Sequence, residues 1–205
     1  MKRPNPSPTG KKPLPIQWMD VTAFKIPIPR DEKQRLAALK RYDILDTPPE
    51  KTFDSITVLA AHVCVTPIAL LVLIDRDRQW FKAKVGVRLQ ETPREFAFCA
   101  HTIMQRALFI IPDATKDKRF ETNPLIVSGP RYRFYAGAPL VTPDNRALGT
   151  LCVIDKVVRT LTAAQKKDLV ALSRLVMTEL ELRRRLREKP RTRTKPSRMR
   201  SAGTR

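Results

Sequence analysis

The sequence IALLVLIDRDRQWFKAKVG, residues 68–86, is the strongest structural signal in this chain. Residues 68–74 form an uninterrupted apolar run of strand length, which is typical of a strand buried on both faces. The charged residues 75–78 predict a turn, and residues 79–86 alternate well enough to predict a second strand that pairs back on the first. We therefore expect a β-hairpin here and antiparallel strands in the sheet that contains it.

Helical patterns lie on both sides of this hairpin. Before it, Asp31 is positioned to cap a helix over residues 31–42, and a second helix with apolar residues at helical spacing is expected to follow Thr47-Pro48-Pro49-Glu50, a predicted capping box. Near the C-terminus, Thr162 and Gln165 predict another capping box, which opens a long helix with an apolar stripe. The terminal helices are therefore expected to cover one face of the sheet.

The region between the hairpin and the last helix predicts the rest of the sheet. Residues 93–105 predict a short helix and residues 108–111 a short strand. Residues 133–141 and 147–155 predict two strands that are joined by a turn at Pro143-Asp144-Asn145. The order of elements predicts an α+β fold with a mainly antiparallel sheet.

The positive charge of the chain is concentrated at its ends. The formal net charge is +20, of which residues 1–30 contribute +5 and residues 183–205 contribute +10. We divide the chain into a basic, Pro-rich tail over residues 1–30, a folded domain over 31–187 and a basic tail over 188–205, and we expect both tails to be largely disordered. Weak binding of a polyanion is expected to depend first on the tails.

The compartment follows from the cysteines and from the absence of targeting signals. The chain has 3 cysteines with no disulfide framework, which favours a reducing compartment. The N-terminal segment lacks an apolar run of signal-peptide length, and no stretch approaches the ~20 apolar residues of a membrane span. A cytoplasmic protein without a membrane span is therefore expected.

Several motifs, in a consistent order, resemble those of bacterial GAF domains. The first are Ile44-Leu45-Asp46-Thr47-Pro48-Pro49-Glu50 with the preceding RLAAL of residues 35–39, and the hairpin around Ile74-Asp75-Arg76-Asp77-Arg78-Gln79-Trp80-Phe81-Lys82. They continue with Phe98-Cys99-Ala100-His101, Pro112-Asp113-Ala114, Phe134-Tyr135-Ala136-Gly137-Ala138-Pro139-Leu140 and Leu148-Gly149-Thr150-Leu151-Cys152-Val153-Ile154-Asp155. The resemblance covers roughly residues 31–187.

This resemblance implies both a fold and a class of function. It implies a GAF-like antiparallel sheet of about six strands, with the N- and C-terminal helices on one face and a pocket on the other, roofed by residues 87–130. It further implies a sensory, signal-transduction module that binds a small ligand or a signalling partner, as in two-component systems. The expected partners are a second copy of the chain, bound through the terminal helices, and a kinase or a response regulator. No cofactor is identified.

The pocket candidates come from the segments expected to surround it. Cys99 and His101 are the obvious chemical pair, but residues two apart on a helix point to different sides and cannot act on each other. We therefore expect no catalytic residue and no enzymatic activity. Two histidines and three cysteines without ligand spacing do not make a metal site, so no metal is expected either. A glycine on a strand allows close approach to the backbone, which favours Tyr135 with Gly137. The full set of candidates is Trp80, Phe98, Cys99, His101, Phe120, Asn123, Phe134, Tyr135 and Gly137.

Three alternatives remain open at this point. The basic tails could tether the protein to nucleic acid or another polyanion. A GAF-like fold also supports free methionine sulfoxide reductase, in which Cys99 would be the redox cysteine. Against that role, Cys64 on a predicted helix and Cys152 in a predicted strand are not expected to resolve a sulfenic acid. Finally, the chain could be a remnant of a larger sensor kinase.

Overall fold

The computed structural model describes residues 26–188, which form five α-helices and six β-strands. In chain order these are α1 (Glu32–Tyr42), α2 (Lys51–Cys64), β1 (Ile68–Ile74), β2 (Arg78–Val85), β3 (Glu91–Pro93), a 3-10 helix (Arg94–Phe96), α3 (Phe98–Thr102), β4 (Phe109–Ile111), α4 (Pro124–Val127), β5 (Phe134–Val141), β6 (Ala147–Asp155) and α5 (Ala163–Glu188).

The strands form one antiparallel sheet in the order β3-β2-β1-β6-β5-β4. The predicted hairpin is β1–β2, and the strands predicted over 133–141 and 147–155 are β5 and β6. The central pair joins β1 to β6, which are far apart in the sequence. All residues of β1 are buried, as the apolar run predicts, because the sheet is covered on both faces.

Each face of the sheet has its own hydrophobic cluster. Helices α1, α2 and α5 pack on one face, where the cluster includes Leu71, Trp80 and Phe134. The other face is covered by the 3-10 helix, α3, α4 and the segments around them, and its cluster includes Phe81 and Tyr135. The predicted fold class, an α+β GAF-like sheet with terminal helices on one face, is confirmed.

The two predicted capping boxes have different outcomes. At the start of α5, the Thr162 amide donates to the Gln165 side chain at 2.9 Å and the Gln165 amide donates to Thr162 Oγ1 at 3.2 Å, as expected. The capping box at Thr47 was wrong. Helix α2 begins at Lys51, three residues later than expected, because Thr47 donates to the Ile44 carbonyl and Glu50 pairs with Lys82 instead.

The helix expected over residues 93–105 is shorter than expected. Residues 91–93 pair with β2 as strand β3, and residues 94–96 form the 3-10 helix, so only Phe98–Thr102 is α-helical. Pro93 remains extended at the end of the strand. The irregular backbone that results places Phe96, Phe98 and Cys99 over the sheet, where they enclose a cavity.

The predicted tails fall almost wholly outside the described residues. Of the N-terminal tail, only residues 26–30 are described. There Ile26 packs against the cluster opposite the helices, and the Pro29 carbonyl accepts from the Glu32 amide. The domain limits, the expected disorder and the polyanion binding of the tails therefore stay predictions. Within the described residues, no helix has both the length and the apolar character that a membrane crossing requires.

Candidate functional site

A cavity of about 330 Å³ lies between the sheet and its irregular cover, on the face opposite the long helices. Its floor comes from β1, β2, β5 and β6, and its cover comes from the segments that follow β2 and β3 and from α3 and α4. The lining residues are mostly apolar or aromatic: Ile68, Leu70, Gln79, Phe81, Gly86, Val87, Arg88, Leu89, Thr92, Pro93, Phe96, Phe98, Cys99, Leu125, Pro130, Tyr132, Tyr135, Ile154 and Lys156.

The pleat of the strands determines which aromatic residues reach this cavity. Successive side chains of a strand point to opposite faces. On β2, Phe81 lines the cavity while Trp80 lies in the cluster under the helices. On β5, Tyr135 lines the cavity while Phe134 lies on the helix side. Trp80 and Phe134 were candidates from the sequence, but the structure places neither beside the cavity.

The candidates from the covering segments have different roles. Phe98 lines the cavity, and Phe120 packs behind it with ring centroids 4.9 Å apart. His101 packs edge-on against Phe120 at 4.6 Å, away from Cys99. Burial and the nearby Arg119 lower the pKa of His101 to about 4, so the imidazole is neutral near pH 7.

Asn123 supports the cover rather than lining the cavity. Its side-chain oxygen accepts from the Leu125 amide at 2.9 Å and so caps α4, and its Nδ2 donates to the Phe96 carbonyl at 3.1 Å. The buried amide thus joins α4 to the 3-10 helix across the cover of the cavity.

Gly137 makes room for the phenol of Tyr135. A Cβ at Gly137 would lie 2.2 Å from the Tyr135 hydroxyl oxygen, so a larger residue would displace the ring. The close approach expected at Gly137 is therefore to a neighbouring side chain. The Tyr135 hydroxyl lies 2.7 Å from Thr102 Oγ1 and donates to the Cys99 sulfur at 3.4 Å.

Cys99 is the centre of a buried polar cluster at the wall of the cavity. Its sulfur accepts a hydrogen bond from Thr150 Oγ1 at 3.1 Å and lies 3.8 Å from the sulfur of Cys152. Burial opposes ionisation, but hydrogen bonds from Cys152, Thr150 and Tyr135 outweigh it and hold the pKa of Cys99 below the usual thiol range. Burial and the neighbouring Cys99 raise the pKa of Cys152.

The expectation that Cys152 cannot resolve a sulfenic acid at Cys99 was wrong in its geometry. It relied on the placement of Cys152 in a predicted strand, away from the helix expected to hold Cys99. The fold instead places α3 directly over β6, so the two sulfurs come within contact distance. Cys64 meets the expectation, since it is buried among the helices on the other face of the sheet.

The mouth of the cavity is cationic, which the sequence reasoning missed. Arg88 and Lys156 are exposed lining residues, and no acidic side chain in the described part of the chain lines the cavity. Both follow strands, β2 and β6, that flank β1 and run antiparallel to it. The two strands therefore end at the same edge of the sheet, a relation that the topology alone could have revealed.

A larger groove of about 1000 Å³ lies along α5, beside the end of β5. It is a surface groove bordered by exposed side chains such as Arg174, Leu182 and Arg185. None of the sequence candidates lines it, and its walls lack the polar cluster around Cys99. The cavity between the sheet and its irregular cover is therefore the better candidate for a small-molecule site.

The sequence profile of the GAF domain matches residues 48–180, and the chain belongs to this family. A curated relative, a cyclic di-GMP phosphodiesterase of Pseudomonas aeruginosa, is 41% identical over 157 residues, which are 75% of this chain and 26% of the relative. The chain therefore spans about a quarter of the length of that relative. The family assignment supports a sensory signalling module.

Solved structures with the same fold come from several kinds of protein. The GAF domain of a phosphoenolpyruvate-protein phosphotransferase from Coxiella burnetii is 13% identical, with a TM-score of 0.57 over 75% of this chain and 95% of that chain. A domain of a two-component sensor histidine kinase from Sinorhizobium meliloti has 11% identity and a TM-score of 0.53 over 67% and 94%. The free methionine-R-sulfoxide reductase of Neisseria meningitidis has 11% identity and a TM-score of 0.54 over 80% and 98%.

These comparisons contradict the prediction that the chain is not an enzyme. The curated relative is a phosphodiesterase, and one protein with the same fold is a reductase. The sequence argument rejected a nucleophile formed by Cys99 and His101, and it kept a reductase that uses Cys99 only as an alternative.

Proposed function

We propose that this GAF domain is the ligand-sensing part of a signalling system that controls a cyclic di-GMP phosphodiesterase. The cavity of about 330 Å³ on the face of the sheet opposite the long helices is the observation that carries the proposal. The 41% identity to part of a cyclic di-GMP phosphodiesterase supports the choice of enzyme. The fold shared with a domain of a sensor histidine kinase supports a kinase or response regulator as the alternative partner.

The lining of the cavity defines the class of ligand. Aromatic and aliphatic side chains form most of the wall, which favours a compact ligand with an apolar or aromatic body. Arg88 and Lys156 at the mouth, where no acidic side chain among residues 26–188 lines the cavity, favour an anionic group at one end of that ligand. The proposed ligand is therefore a small organic anion, such as an aromatic carboxylate or a nucleoside monophosphate.

The first experiment tests ligand binding. The full chain is screened by thermal shift and calorimetry against small aromatic carboxylates and nucleoside monophosphates. Binding of a hit should weaken at least tenfold in the Arg88→Glu/Lys156→Glu variant. The control, Lys166→Glu/Lys167→Glu, makes the same charge change on exposed positions of α5 and should bind as the unaltered chain does. No hit, or equal weakening in both variants, would contradict the proposal.

The second experiment tests the output. The GAF region of the Pseudomonas phosphodiesterase is exchanged for this chain, and cyclic di-GMP hydrolysis is measured with and without a confirmed hit. We expect the hit to change the rate in the chimera and to lose this effect in the chimera with Arg88→Glu/Lys156→Glu. A hit that binds but leaves hydrolysis unchanged would reject the phosphodiesterase as the output and favour the kinase or response regulator.

We further propose that the module forms a homodimer through the outer face of its helices. Leu175, Leu182 and Leu186 of α5 are 54%, 51% and 61% exposed, and their spacing places them on one stripe. Val58 and Leu59 of α2 add exposed apolar surface on the same side of the sheet. Burying such stripes between two copies would stabilise a dimer.

Light scattering on the full chain tests this association. The unaltered protein should have the mass of a dimer, and Leu182→Glu should reduce it to that of a monomer while leaving its circular dichroism unchanged. Val127→Glu, at a position of similar exposure on α4, is the matched control and should remain dimeric. A monomeric unaltered protein would refute the dimer.

A further inference from the structure

The pair Cys99 and Cys152 has a geometry that ligand sensing does not require. The two sulfurs lie 3.8 Å apart, in residues separated by 53 positions. A disulfide needs about 2.05 Å, so the two sulfurs must approach each other by about 1.75 Å to form one. The third cysteine, Cys64, is buried behind the sheet and provides an internal reference.

The surroundings of the two sulfurs indicate which cysteine would react first. Cys99 lines the cavity, whereas Cys152 is fully buried behind it in β6. The hydroxyls of Thr150 and Tyr135 both donate to the Cys99 sulfur, and such donors stabilise a thiolate. A small reagent that enters the cavity would therefore meet Cys99 first.

We propose that Cys99 and Cys152 are a peroxide-sensitive pair, in which a hydroperoxide that enters the cavity converts the two thiols to an intramolecular disulfide. This role goes beyond the proposed ligand sensing and does not depend on it. The oxidant is hydrogen peroxide or another small hydroperoxide. The reductant that restores the thiols is a dithiol.

The chemistry balances in two steps. In the first, the Cys99 thiolate attacks one peroxide oxygen, an S–O bond forms and the O–O bond breaks. The leaving hydroxide takes up the proton that Cys99 had lost, which yields water and a sulfenic acid. In the second, the Cys152 sulfur loses its proton and attacks the Cys99 sulfur. The S–S bond forms, the S–O bond breaks and a second water leaves. Two thiols and one peroxide thus give one disulfide and two waters.

The disulfide would join the cover of the cavity to its floor. Cys99 belongs to α3 above the sheet, and Cys152 belongs to β6 within it. Drawing the two sulfurs together would move α3 toward β6 beside the lining residues Phe98 and Tyr135. Oxidation would therefore change the shape of the cavity, and with it the signal that the domain transmits.

Thiol counting with peptide mapping tests the proposal on the full chain. The reduced protein has 3 free thiols, and equimolar hydrogen peroxide should lower the count to one. Tryptic mapping should show peptide 95–106, which contains Cys99, linked to peptide 147–156, which contains Cys152. Dithiothreitol should restore all the thiols. This mapping needs no variant and therefore does not depend on one folding.

Two variants separate the roles of the cysteines. Cys152→Ala should stop at the sulfenic acid, which dimedone traps on peptide 95–106. Cys64→Ala, the matched control, should lose both of its remaining thiols and form the same linked peptides. Retention of all thiols, a disulfide that involves Cys64, or a linkage between two chains would each overturn the proposal. The readout is independent of ligand binding, so its failure and the failure of ligand sensing are distinguishable.

Discussion

The ammonium group of Lys82 shows how one buried charge fixes a local structure. Its side chain is 0% exposed, and Nζ donates to the Pro48 carbonyl and to Glu50 Oε1, both at 2.6 Å, and to Thr47 Oγ1 at 2.8 Å. These bonds hold the segment before α2 against β2. The motif Thr47-Pro48-Pro49-Glu50, expected from the sequence to be a helix cap, therefore binds a lysine instead.

Replacing this lysine should destabilise the domain. Lys82→Met keeps the aliphatic stem but removes the donor to the Pro48 carbonyl and leaves Glu50 with only the longer ion pair to Arg183, at 3.5 Å. We expect a loss of about 2–3 kcal/mol in the free energy of unfolding. Urea denaturation of the variant and the unaltered chain measures this difference. Lys51→Met, at an exposed neighbouring position, should change it by less than about 0.5 kcal/mol. An equal effect of both substitutions would show that the buried bonds contribute nothing.

Thr150 is the residue that should tune the Cys99 thiol. Thr150→Val keeps the shape of the side chain and removes the hydroxyl that donates to the sulfur at 3.1 Å. Because that hydrogen bond helps to lower the pKa of Cys99, its loss should raise this pKa and move the pH profile of Cys99 alkylation to higher pH. Mass spectrometry of peptide 95–106 after iodoacetamide pulses gives the profile. The control variant Thr57→Val, at a buried threonine of α2, should leave the pH profile of Cys99 alkylation unchanged.

At the scale of the elements, the sequence reliably indicated those with a local pattern. Strand β1 is a continuous apolar run, and α5 has a capping box and an apolar stripe, so both could be located from neighbouring residues. The 3-10 helix and the shortened α3 could not be located in this way. Residues 91–93 pair with β2, and this tertiary contact overrides the helical preference of the sequence around them. The cavity residues Arg88 and Lys156 could not be recognised from the sequence either. They resemble ordinary surface charges, and only the strand order shows that they lie at the same edge of the sheet. The contact of Cys99 with Cys152 likewise depends on which strand α3 covers.

The central pairing of β1 with β6 depends on a close approach at Gly149. A Cβ at this position would lie 1.9 Å from the Val72 carbonyl oxygen, which belongs to the backbone of the neighbouring strand. Gly149→Ala must therefore push β1 and β6 apart, and we expect it to lower the free energy of unfolding by about 3 kcal/mol. In Gly137→Ala the new methyl group meets the Tyr135 side chain, which can move into the cavity. Chemical denaturation should show a smaller loss for Gly137→Ala; the reverse order would contradict the argument.

At the scale of the whole molecule, Glu32 connects the two layers around the edge of the sheet. It begins α1 in the helix layer, and its carboxylate accepts from Arg35 at 2.8 Å and from Arg94 at 2.6 Å. Arg94 belongs to the 3-10 helix of the opposite layer and also donates to the carbonyls of Asp75 and Arg76 in the hairpin turn. One carboxylate thus joins the helix layer to the cover of the cavity.

The ionisation of Glu32 should make the stability of the domain sensitive to acid. Burial alone would raise its pKa, but the hydrogen bonds from Arg35 and Arg94 outweigh burial and lower the pKa from 4.5 to about 2. A carboxyl whose pKa is lower in the folded state than in the unfolded state stabilises the folded state fully when the pH is above the unfolded-state pKa. This contribution disappears as the pH falls toward the folded-state pKa. Unfolding free energies measured between pH 5 and pH 2 should therefore show a loss of up to about 3 kcal/mol that is absent in Glu32→Gln. The control variant Glu121→Gln, in an exposed loop, should lose stability in acid as the unaltered chain does. If the two variants behave alike, the acid sensitivity arises elsewhere, and Glu32 does not connect the layers as the structure implies.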